Sequence, residues 1–133
     1  MTLRRTPINP VTWSQKLGFH QAVLITGPTR TLYCSGQTAT DAEGNPMHEG
    51  DMAAQLALSL DNLEAVLAGA DMTLADLVRL TLYTTDIDAL FPHYATLTAR
   101  LATAAAAPPT TLLEVSRLAI PTQLIELEAT AAA

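Results

Sequence analysis

Between Pro108 and Thr130 the chain carries two carboxylates at a spacing that would aim them the same way. From Leu124 to Thr130, the apolar Ile125, Leu127 and Ala129 alternate with Glu126, Glu128 and Thr130, the period-two signature of a strand with two different faces. Glu126 and Glu128 therefore share a face. Such carboxylates are usually solvated; one set in a pocket can instead accept and donate a proton in acid–base chemistry. Upstream, Pro108-Pro109 leads into Thr110-Thr111-Leu112-Leu113-Glu114, a second strand. A proline-led strand beside a glutamate-bearing one suggests a ligand pocket.

The other reactive residue types form no recognisable constellation. His48-Glu49 sits in a turn and His93 follows Pro92 at a helix start, without metal-ligand spacing to nearby carboxylates. Neither a metal nor a cofactor is expected. Cys34 is the single cysteine, so no internal disulfide can form, and within Thr31 to Ser35 it reads as a small buried hydrophobe. Asp51, Asp61, Asp76 and Asp88 read as helix caps or solvated helix faces. No nucleophile elbow, P-loop or dinucleotide fingerprint is present.

The elements that must position these residues follow from punctuation and period. After a proline-punctuated arm ending near Trp13, the runs Phe19 to Thr26 and Thr31 to Ser35 flank Gly27-Pro28-Thr29-Arg30, which predicts a β-hairpin. Asp41 to Pro46 makes a second turn. Asp51 can cap a helix with Leu56, Leu60, Leu63 and Leu67 on one face and Gly69 at its end. Thr73-Leu74-Ala75-Asp76 has a capping-box pattern and predicts a helical turn before the strand Leu77 to Thr84. A second helix should begin near Phe91-Pro92 and run through Leu97 and Leu101 to Ala107, where Pro108-Pro109 stops it. The order is ββαβαββ, a two-layer α/β domain with two helices on one face of a mixed sheet.

Composition sets the class. One domain over residues 1–133 is the expectation, long enough to bury its own core. With 49% hydrophobic and 15% charged residues and a mean hydropathy of +0.22, the chain is poor in charge for a soluble domain, and such a surface favours self-association. The net charge of −6, with no Lys/Arg cluster, argues against nucleic acid as a partner. No stretch approaches the roughly 20 apolar residues of a membrane span, and no signal peptide is visible after Met1 to Arg5. A cytoplasmic location without a membrane partner is expected.

Nearly end to end, the chain resembles the Rid (YjgF) family. The residues that carry the likeness are Gln21-Ala22-Val23, Leu32-Tyr33-Cys34-Ser35-Gly36-Gln37, Gly50-Asp51-Met52-Ala53-Ala54-Gln55 and Ser59-Leu60-Asp61-Asn62-Leu63, followed by Val78 to Asp86, Glu114-Val115-Ser116-Arg117-Leu118 and Ile125-Glu126-Leu127-Glu128-Ala129. The resemblance implies a chorismate-mutase-like α/β (α+β) fold, a homotrimer, and small-molecule clefts between subunits.

In the family's deaminases an arginine early in the strand after the second helix binds the substrate carboxylate. Two residues on, a cysteine lines the cleft; a glutamate on the last strand activates water, and a tyrosine before the Gln-Ala-Val block lines the pocket. Here those positions are Thr110, Leu112, Glu126 and Phe19, so only the glutamate is kept. A charged hydrogen bond is worth about 1.5–3 kcal/mol against about 1 for a neutral one, so Thr110 as a neutral donor, backed by Thr111, would hold a 2-imino acid weakly. That argues against 2-aminoacrylate as substrate, while Leu112 and Phe19 as pocket walls point to a more apolar ligand. Glu126 is the expected catalytic group, with His20 beside Phe19 a second acid–base candidate. Ser35 and Gly36 are expected to present backbone to the ligand, and Tyr94 to stand near the cleft. Two functions follow: an enamine/imine deaminase-like hydrolase or tautomerase, or a non-catalytic metabolite-binding or regulatory trimer.

Overall fold

Strand β6 (Ile125–Ala132) is the central ladder of the molecule. The computed structural model describes residues 2–27 and 30–133. Four strands align in the order β3 (Thr31–Tyr33), β6, β4 (Leu77–Thr84) and β5 (Thr110–Glu114). Only the β4–β5 pair is parallel, which makes the sheet mixed. A parallel pair needs a long crossover, and the helices between β4 and β5 provide it.

Helix α1 (Met52–Ala68) forms because Leu56, Leu60, Leu63 and Leu67 recur at three- and four-residue spacing, and all four are fully buried. The Asp51 carboxylate accepts the Ala54 N–H at 3.1 Å and caps its first turn, and Gly69 follows its last residue. The Thr73 hydroxyl accepts from Ala75 N–H, and Asp76 accepts the Thr73 N–H, completing the expected box. Helix α1 packs with Leu97 and Leu101 of α3 (Tyr94–Thr103) over Leu80 and Leu82 of β4 and Leu127 and Ala129 of β6. Both helices thus cover one sheet face. Arg100 bonds Asp61, Glu64 and the Ala57 carbonyl, tying α3 to α1.

Three expectations change. The second helical segment begins earlier than Phe91: Asp86 caps a short α2 (Ile87–Leu90), and Pro92 lies in a 3-10 turn before α3. It also ends at Thr103 rather than Ala107, because Ala105 takes a left-handed conformation at φ 53°. Ala106 N–H then reaches the Leu101 carbonyl at 2.8 Å, a Schellman closure made without glycine.

The predicted hairpin between Phe19 to Thr26 and Thr31 to Ser35 is replaced by other pairings. Strand β2 (Ala22–Thr26) takes its partner from the proline-punctuated arm, where Arg4–Ile8 forms β1 in antiparallel register from Arg4↔Thr26 to Ile8↔Ala22. Strand β3 pairs with β6 instead. Of the expected joint between them, Pro28 and Thr29 lie outside the described residues.

Candidate functional site

Strand alternation separates the expected site residues onto two sides of the sheet. Across β5, β4 and β6, Leu112, Leu82 and Leu127 stand in register, as do Leu113, Tyr83 and Glu126 in the adjacent row. Leu82 and Leu127 are buried under the helices, so Thr110 and Leu112 belong to the helix-covered side. Glu126, Glu128 and Thr111 belong to the helix-free side. Phe19 and Leu112 are therefore not walls around Glu126 within one chain, and Thr111 does not back Thr110. Adjacent strand residues cannot share a face.

On the helix-free side, the half-buried Glu126 carboxylate lies over Gly36. A Cβ at Gly36 would collide with Glu126 Oε1 and sit 2.7 Å from Cδ. Here the absent side chain matters, since Gly36 is not among the residues with positive φ. Reciprocal backbone bonds between Gln37 and Leu127, at 2.7 and 2.9 Å, hold this crossing together, with Ser35 exposed beside it. Val115, Arg117, Leu118 and Ala119 complete a cleft of about 290 Å³. Among the described residues Glu126 has no ion pair, and Arg117 stands in the same cleft without salting it.

Neighbouring groups on that face are already paired. The Tyr83 hydroxyl donates to Glu128 Oε1 at 3.0 Å. That bond to a carboxylate is the main reason the phenol titrates above its ordinary value. Arg79 donates to the Thr111 hydroxyl at 2.7 Å.

On the helix side a cavity of about 950 Å³ is lined by Phe19, Tyr94, Thr110 and Leu112 together with Lys16, Leu17, Phe91 and the small residues of α3. Thr110 Oγ1 donates to the Pro108 carbonyl at 2.8 Å, which corrects the expectation that this hydroxyl is a free donor. Burial raises the Tyr94 phenol above its ordinary value. His20 lines neither space. The Asn9 amide oxygen accepts the Gln21 N–H at 2.9 Å, which fixes its orientation, so Asn9 Nδ2 donates to His20 Nδ1 at 3.1 Å. Together with the 3.2 Å bond from His20 N–H to the Ala107 carbonyl, this makes His20 a tie between the arm and the α3–β5 connection.

Three carboxamides support the Gly36 region and were not anticipated as positioning residues. Gln55 donates to the His48 and Thr122 carbonyls and accepts the Leu124 N–H; Gln123 bonds both backbone groups of Ala39; Asn62 donates to the Thr38 and Thr40 carbonyls. The available signal was polar: Gln55 falls among the buried leucines of α1, and buried polar groups need partners. Cys34 is buried, as expected, and burial raises its thiol's titration. His48 and His93 join no metal-ligating group among the described residues. No helix there is long and apolar enough to cross a membrane.

A family model described as Endoribonuclease L-PSP matches residues 14–133. Among solved structures, the chain is similar to YyfB from Yersinia pestis, a protein of unknown function of the conserved Rid family, at 37% identity and TM-score 0.85, with 97% of this chain and 98% of that one covered. The YjgF gene product of E. coli is 29% identical at TM-score 0.68, covering 85% and 86% of the two chains. TdcF of E. coli, solved with bound serine, shares the fold at 24% identity and TM-score 0.69, over 77% and 80%. No curated protein sequence matches the chain.

Proposed function

The chain belongs to the Endoribonuclease L-PSP family, that of YjgF and the Rid proteins, and from that premise we propose that it is a small-molecule enzyme, an enamine/imine deaminase-like hydrolase or a tautomerase. The observation that carries this reading is the Glu126 carboxylate, half-buried over Gly36 and free of any ion pair among the described residues. A carboxylate kept in a cleft without a structural partner is a candidate proton carrier.

As a general base Glu126 would take a proton from water while the oxygen attacks the carbon of a C=N bond and the nitrogen gains a proton. Collapse of the resulting carbinolamine returns a carbonyl and releases ammonia. On an enamine or enol the same carboxylate would move a proton between carbon and heteroatom. We read the assembly as a cytoplasmic homotrimer in which the Glu126 face of one copy meets the Phe19–Thr110 cavity of another. That arrangement would reunite groups that one sheet holds apart. RNA fits less well, given the net charge of −6 and the pairing of Arg5 and Arg100 with carboxylates.

The second reading, a metabolite-binding or regulatory trimer, is favoured by Thr110, Leu112 and Phe19 standing where the deaminases carry arginine, cysteine and tyrosine. Ammonia release from freshly generated imines and enamines, with and without a carboxylate, separates the two. Glu126→Gln is expected to lower the rate about 100-fold or more, the scale of general-base catalysis. No release above background from any substrate would favour the binding module.

A further inference from the structure

The position at which the family's deaminases hold a carboxylate has been inverted in hydrogen-bonding polarity. A backbone carbonyl can only accept, so the 2.8 Å contact between Thr110 Oγ1 and the Pro108 oxygen uses the single hydroxyl hydrogen of Thr110. Toward the cavity the threonine side chain therefore offers lone pairs alone. A ligand carboxylate placed there would face an acceptor and would lose its own hydration in a largely apolar space. An N–H or O–H would be received.

Tyr94 supplies the complementary group. It lines the same cavity, and its hydroxyl makes no hydrogen bond among the described residues. A phenol is protonated at neutral pH and so able to donate, and burial raises its titration further. Lys16 is the one charged side chain among those lining the cavity, and it is exposed; an ammonium in water contributes little to an ion pair.

We propose that this cavity selects uncharged ligands with an apolar body and an adjoining donor and acceptor, as in an amide or a neutral imine, with Thr110 accepting and Tyr94 donating, and that it discriminates against carboxylates. The inference rests on the ligand-cleft reading above and specifies its substrate class.

Trp13 provides the readout. It is the single tryptophan and meets Phe19, a cavity residue, edge-on with ring centroids 5.9 Å apart. Phenylacetamide and phenylacetate, nearly the same shape but neutral and anionic, are titrated against Trp13 emission. The amide is expected to saturate at a concentration about tenfold or more below the acid, the scale of one satisfied rather than opposed hydrogen bond. Thr110→Val should remove that preference, and Thr110→Ser should retain it.

Equal or tighter binding of phenylacetate overturns the inference, as it would if Lys16→Gln then abolished that binding. A preference unchanged in Thr110→Val, or no saturable response to either probe, overturns it as well. Failure of the catalytic reading is distinguishable: amide preference in a protein that releases no ammonia keeps this inference and removes catalysis. Glu126-dependent release from carboxylate-bearing substrates alone does the reverse.

Discussion

Glu126 and Gly36 act as a pair: the glycine leaves the volume that the carboxylate occupies. Because the atoms a Cβ would meet belong to the end of a flexible side chain, Gly36→Ala should displace Glu126 at a stability cost within about 0.5 kcal/mol, as at other exposed positions. The expected outcome is ammonia release reduced toward the level of Glu126→Gln, with a nearly unchanged thermal midpoint. Full activity in Gly36→Ala would mean that the seat over Gly36 does not set the carboxylate's working position. Thr110 illustrates the same scale from the other side of the sheet. Residue identity suggested a donor, whereas its bond to the Pro108 carbonyl makes it an acceptor toward the cavity.

Among elements, the segment from Thr38 to Asp51 has little regular structure of its own, and buried carboxamides fix it to α1 and to the approach of β6. Gln55 is fully buried and makes three of these bonds. Gln55→Leu would fill similar volume but leave the Leu124 N–H and the Thr122 carbonyl without partners, while the His48 carbonyl keeps the Asp51 N–H, so an unfolding free energy lower by about 2–4 kcal/mol is expected in urea titration. A loss under about 1 kcal/mol would mean that water replaces the amide. The legible parts of the fold were those written in local chemistry. Asp51 and the Thr73/Asp76 box announced helix starts, leucine spacing announced α1, and alternation announced β6. The end of α3 was not legible, since Ala105 adopts a left-handed turn that nothing in a run of alanines encodes. Nor was the partner of β2, because pairing with Arg4–Ile8 is a non-local choice between edges that period alone does not rank. The candidate site was legible in its residue types but not in its sidedness: Thr110 and Thr111 diverge by the pleat, and His20 turned to Asn9.

For the whole molecule, the helix-free sheet face is the surface that asks for a partner. Tyr33 is 80% and Leu113 45% exposed on it, in the rows that hold Thr130, Tyr83 and Glu126. Apolar groups flanking bonded polar pairs are what an interface between copies would bury, and the composite cleft proposed above requires that such an interface bring Glu126 to another copy's Thr110 cavity. Leu113→Asp tests this, since an exposed side chain can be charged at small cost to the isolated fold, whereas a buried interface must then desolvate an unpaired carboxylate. The wild type should have a solution mass three times the 14.1 kDa of the chain, and Leu113→Asp should shift it to monomer with the far-UV circular dichroism retained. Glu126-dependent ammonia release should fall with the trimer, because the two halves of the cleft would then lie on separate molecules. A folded monomer that keeps full activity would show that Glu126 works without a second copy, and a wild type already monomeric at assay concentration would remove the composite cleft altogether.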